Sequence, residues 1–70
     1  MAGMIYEILL IGMQHQDADP PVDWAWGNCP SFRGVIIYDN EFISDDPVRF
    51  EYLFEKEQDA ILFGLKFGSH

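Results

Sequence analysis

The sequence predicts a small α+β domain: a three-stranded sheet with one C-terminal helix packed on one face and a short helix between the first two strands. Three observations carry this. Two runs are rich in β-branched and aromatic residues, a third run alternates with one break at Leu53, and an apolar stripe of helical period follows it. The chain has 70 residues and reads as one domain, with residues 1–3 and 68–70 taken as appended ends and left out of the functional reading.

Residues 4–11 read Met-Ile-Tyr-Glu-Ile-Leu-Leu-Ile, with Glu7 as the only charge. Both faces are nearly apolar, which suits a strand inside a sheet, and Gly12 ends it. Residues 14–32 hold Pro20, Pro21, Gly27, Asn28 and Pro30, which punctuate the chain. Asp19 before two prolines reads as an N-cap, Asp23 falls in the first turn, and Gly27 closes a short helix over 20–26. The competing reading of this stretch is a long loop.

Residues 33–38 form the second strand, and Asp39-Asn40 signals a turn. Asp45-Asp46-Pro47 marks another, with Phe42 and Ile43 extending the hairpin between them. In residues 48–54, Phe50, Tyr52 and Phe54 share one side and Arg49 and Glu51 the other, as in a half-buried strand. Residues 55–65 form the C-terminal helix. Glu55, Glu57 and Asp59 load its first turns, where the helix dipole favours negative charge. Ala60, Phe63 and Phe67 make its apolar stripe, widened by Ile61 and Leu65. Gly64 is a weak point, so the alternative is a short final strand over 65–67. The sheet is antiparallel or mixed.

Composition narrows the function classes. The net charge is -8, from twelve acidic residues against Arg33, Arg49, Lys56 and Lys66. Such a chain repels phosphate, so direct nucleic-acid binding is not expected, whereas a basic protein surface is a fitting partner. Cys29 is the only cysteine, which excludes an intramolecular disulfide and a zinc ribbon or finger and fits a reducing cytoplasm. No apolar run reaches membrane-span length. Neither a nucleophile elbow nor a phosphate loop nor a dinucleotide fingerprint is present, so the reading is non-enzymatic and without cofactor.

The C-terminal stretch Asp59-Ala60, Phe63, Leu65, Phe67-Gly68, behind an aromatic strand and an acidic helix start, resembles the ends of small uncharacterised proteins of tailed bacteriophages, including T4-like phages of marine bacteria. Those proteins more often end in Trp-Gly and carry Lys where this chain has Gly64. The resemblance covers roughly a fifth of the chain and brings no catalytic residue with it. It implies a phage origin and action in the cytoplasm of an infected bacterium.

Two constellations carry chemistry on paper. His15, Asp17, Asp19 and Asp23 hold donor types suited to a divalent cation, but lack the glycine and terminal Glu of a calcium loop, and solvated loop charges with an N-cap explain them as well. Cys29 with His15 is the one conceivable thiol–imidazole pair, and a small buried thiol is the simpler reading. The protein-binding candidates are Trp24, Trp26 and Tyr38 as anchors and Asp39, Glu41, Asp45 and Asp46 as an acidic rim, continued by Glu51, Glu55, Glu57 and Asp59. The expectation is an acidic module that docks on a host protein with a basic surface. A homo-oligomer joined by an edge strand across a two-fold axis is the alternative, and a divalent-metal-binding protein the third reading.

Overall fold

Strand β3 (Val48–Phe54) organises the molecule. In the computed structural model, which describes residues 4–39 and 47–68, its Val48, Phe50, Tyr52 and Phe54 are all buried on one face. That strand lies in the middle of a three-stranded sheet of order β1-β3-β2, between β1 (Tyr6–Gly12) and β2 (Phe32–Tyr38). Both neighbours are antiparallel to it. β1 and β2 therefore run parallel to each other, and α1 (Asp19–Asn28) is the crossover between them, preceded by a 3-10 turn over His15–Ala18. This is a split β-α-β arrangement with β3 inserted between the parallel strands.

The sheet is wholly antiparallel in its pairing, and its order corrects one expectation. The first strand is an edge strand, not an interior one. Its Ile8 and Leu10 pack against the core, while Leu9 and Ile11 are exposed. The central place goes to β3 because four consecutive same-face positions there are large enough to hold both helices.

The helices correct another. α1 is a full ten-residue helix, so there are two helices and not one C-terminal helix with a minor segment before it. The N-cap is Ala18 rather than Asp19, with the prolines in the first turn, where a missing N–H costs nothing. The helix runs past Gly27 to Asn28, whose side-chain amide donates to the Trp24 carbonyl at 2.8 Å. α1 buries Pro21 and Ala25, and Ala18, Ala25 and Cys29 join the aromatic residues of β3 in one core. The Tyr52 hydroxyl crosses that core to donate to the Ala18 carbonyl at 3.2 Å.

α2 (Glu57–Phe63) packs on the same face. The Phe63 ring lies 4.7 Å from Tyr52 and 5.1 Å from Phe54, centroid to centroid. Beyond it the chain makes a π-helical turn over Gly64–Gly68, where either continued helix or a last strand was expected. Gly68 belongs to that turn, close to Leu10 and Ile8, and is not a loose end. Ala60 and Phe63 are buried as the stripe predicts, but Ile61 and Leu65 stand out in solvent. Phe42 and Ile43 lie outside the described residues.

A bulge interrupts β2 between Phe32 and Gly34. Gly34 has φ of 145°, a conformation that side chains rarely adopt, so glycine is required for the sheet to bend there.

Candidate functional site

Helices cover one face of the sheet, and strand register assigns the side chains on the other. On β3 these are Arg49, Glu51 and Leu53; Glu51 stands between Leu9 of β1 and Ile36 of β2, and Arg49 between Ile11 and Tyr38. Glu7 pairs with Leu53 and so lies diagonal to Glu51. Among the described residues no element packs on this face. Leu9 is 57% exposed, Ile11 64%, Ile36 42% and Tyr38 49%. Two apolar strips, Leu9 with Ile11 on β1 and Ile36 with Tyr38 on β2, thus lie open on either side of the charged row Arg49–Glu51, and exposed apolar area of this kind marks interaction surfaces.

The centre of the face is acidic. Tyr38 donates its hydroxyl to Glu51 Oε1 at 3.4 Å. The Glu51 carboxylate, by like charge and then by hydrogen bonding, pushes the Glu7 carboxyl above its ordinary value. The same carboxylate raises the Tyr38 phenol, with desolvation adding to it. Two like charges this close gain from a cation placed between them. The surface thus sets apolar strips beside the Glu7–Glu51 pair, with Arg49 next to Glu51 along β3 and, among the described residues, no ion pair formed by either carboxylate.

The sequence candidates do not converge on one patch. Tyr38 belongs to the open face. Asp39, just after it, binds His15 and ties the end of β2 to the 3-10 turn. Trp24 is half-buried, edge-on to Phe67 at 5.4 Å, and closes the core. Trp26 is 60% exposed but leans on Phe32 with centroids 4.7 Å apart, on the helix layer. Glu41, Asp45 and Asp46 lie outside the described residues.

The chemical constellations have other uses. Asp17 Oδ2 accepts from the amides of Met13 and Gln14 at 2.8 and 2.9 Å, capping the 3-10 turn. His15 is held by Asp39, and among the described residues no three His, Cys, Asp or Glu side chains are grouped to hold a metal ion. Cys29 is buried and its thiol points at the Asp59 carbonyl, 3.7 Å away. Burial, then the Asp59 charge, pushes that thiol up, which disfavours the thiolate that nucleophilic chemistry needs. Asp59 itself is buried and bonded to Ser31, not arrayed on an acidic rim.

Glu7, Leu9, Ile11 and Ile36 were not among the candidates read from the sequence. The alternation in β3 showed that one face was polar, but only the register brings the apolar residues of β1 and β2 around Glu51. No helix among the described residues is long and apolar enough to cross a membrane. Compared with protein-family models, curated proteins and solved structures, the chain matches none.

Proposed function

We propose that the chain is a non-enzymatic, acidic protein-binding module that docks through the helix-free face of its sheet. One observation carries this reading: Leu9, Ile11, Ile36 and Tyr38 stay exposed around the Glu7–Glu51 pair. The fitting occupant is a protein surface with a Lys or Arg flanked by aliphatic side chains. The cation would meet the two carboxylates, and the aliphatic groups would cover the apolar strips. The net charge of -8 would speed encounter with a basic surface. Together with the resemblance of the C-terminal stretch to small tailed-phage proteins, this supports an accessory protein that docks on a basic host protein in the bacterial cytoplasm.

The test is capture from bacterial lysate at moderate salt with the native chain and with Glu51→Lys. A basic protein retained by the native chain, released at high salt and lost with Glu51→Lys, supports the reading. Capture that survives Glu51→Lys but fails with Trp26→Ala moves the binding surface to the helix layer and overturns it.

A further inference from the structure

We propose that the free edge of β1 pairs antiparallel with β1 of a second copy, joining two sheets into one, with Ile61 and Leu65 of each chain packed across the same two-fold axis. This self-association is separate from docking on the open face.

The sequence of β1 does not suit the place it occupies. Tyr-Glu-Ile-Leu-Leu-Ile-Gly carries one charge and is apolar on both faces, as strands inside sheets are. Yet it lies at the edge, and among the described residues nothing pairs with its outer side. Edge strands are normally blunted by Lys, Pro or a bulge. β1 has none of these, and its register with β3 is unbroken from Tyr6 to Gly12. The opposite edge is interrupted at its start: β2 carries Arg33, Gly34 and the bulge between Phe32 and Gly34, and its regular register is confined to Gly34–Tyr38. The asymmetry selects β1 as the edge that accepts a strand.

The helix layer supplies apolar area beside that edge. Asp59 holds one side of α2 to Ser31 at the start of β2, Phe63 enters the core, and a Cβ at Gly64 would touch Ile8 of β1. Continuing round the helix in that direction, Ile61 and Leu65 come next, 54% and 67% exposed. They continue the helix surface outward from the β1 side as an apolar flank, and among the described residues nothing buries them.

A second copy fits because the edge is self-complementary. Antiparallel pairing centred on Leu9 sets Ile8 opposite Leu10 and Glu7 opposite Ile11 of the mate, so no like charges face each other. The strand edge contributes hydrogen bonds, and the two flanks add toward the roughly 1,200–2,000 Å² that a stable interface buries. Charge opposes the union at long range, since each chain carries -8. Salt therefore strengthens this dimer, whereas it weakens docking on a basic partner.

The experiment is sedimentation equilibrium of the full chain at low and high salt, with Ile61→Lys/Leu65→Lys and Glu51→Lys as variants. The native chain is expected to dimerise more tightly at high salt. The flank double variant should raise the dissociation constant by at least about tenfold, or 1.4 kcal/mol. It lowers the net negative charge, so general repulsion cannot explain that loss. Glu51→Lys should leave the dimer intact even where it abolishes partner capture. A monomer at every concentration overturns the proposal, as does a dimer broken by Glu51→Lys and not by the flank variant. Should the flank variant fail to fold, hydrogen exchange of the native chain decides: the β1 amides that do not bond β3, protected only at high concentration, support the pairing, and exchange of those amides that does not change with concentration overturns it.

Discussion

Asp59 Oδ2 accepts two hydrogen bonds from Ser31, from the amide at 3.0 Å and from the hydroxyl at 2.5 Å. The same hydroxyl accepts from the Lys56 amide at 3.1 Å, and the Ser31 carbonyl accepts from the Glu55 amide at 3.0 Å. Ser31, at the entry to β2, thus serves as the missing cap of α2, whose own N-cap, Lys56, has no side-chain cap bond. Both residues are buried, so losing either partner strands the other away from water.

Asp59→Ala should therefore cost about 1.5–3 kcal/mol, the usual worth of hydrogen bonds to a charged group. Ser31→Ala should cost less, because the amide bond to Asp59 survives. The double variant should fall short of the sum by about 0.5–3 kcal/mol, as for residues in one network. Urea denaturation of the four proteins gives the cycle directly, and additive losses would show that the two act separately.

The open face makes a prediction about protons. Glu51 raises the Glu7 carboxyl, so the folded chain binds protons at Glu7 more readily than the unfolded chain does. The stability this group contributes is present below its ordinary carboxylate value and lost as pH rises through the raised folded value. Glu51→Gln should lower the Glu7 transition and also the Tyr38 phenol transition, which Glu51 raises too. Carbon-detected NMR titration reads both, and an unmoved Glu7 would break the link.

At the alkaline end Tyr52 contributes. Burial, with the Asp19 charge second, pushes its phenol from 10.0 up to about 12. The folded chain holds this proton where the unfolded chain releases it, so stability from Tyr52 is complete below pH 10 and drains away through the folded value near pH 12. Tyr52→Phe should lose about 0.5–1.5 kcal/mol at neutral pH with the bond to Ala18. It should also flatten the alkaline decline in thermal midpoint. A decline of equal steepness in the variant would assign it to other groups.

Two glycines should respond in opposite directions to the same change. A Cβ at Gly12 would lie 2.7 Å from Phe50 Cε2 and 2.8 Å from Asp17 Cβ, so Gly12→Ala should destabilise by about 1–3 kcal/mol as the core and the capping turn are forced apart. A Cβ at Gly27 meets nothing within 4 Å inside α1, and Gly27→Ala should stabilise by about 0.4–1 kcal/mol. Thermal denaturation of both variants checks the pair.

Phe63→Ala should be close to unfolded. The ring touches Tyr52, Phe54, Trp24 and Phe67. Its removal costs about 3–5 kcal/mol, as much as a core of this size supplies in all. Near-ultraviolet circular dichroism would show lost aromatic order, and a cooperative transition at the native midpoint would disprove it.

Local pattern determined much of this fold. The alternation of β3 alone assigned Phe50, Tyr52 and Phe54 to the core, because a strand's side chains alternate whatever it pairs with. The β-branched runs located the other strands for the same reason, and Cys29 next to Pro30 was legible as a buried thiol. What a side chain meets across the sheet is not a local property. Both-sided apolarity in β1 pointed to an interior strand, and only the order β1-β3-β2 put it at the edge. Ile61 and Leu65 satisfied the helical period, yet α2 is held by Ser31 on one side and Ile8 on the other, which turns them outward. The Glu7–Glu51 pair and the apolar strips beside it exist only once register sets β1 against β3. Composition and period therefore determined which segments form strands and helices, while tertiary structure decided which face stays open, since that depends on contacts between residues far apart in the chain.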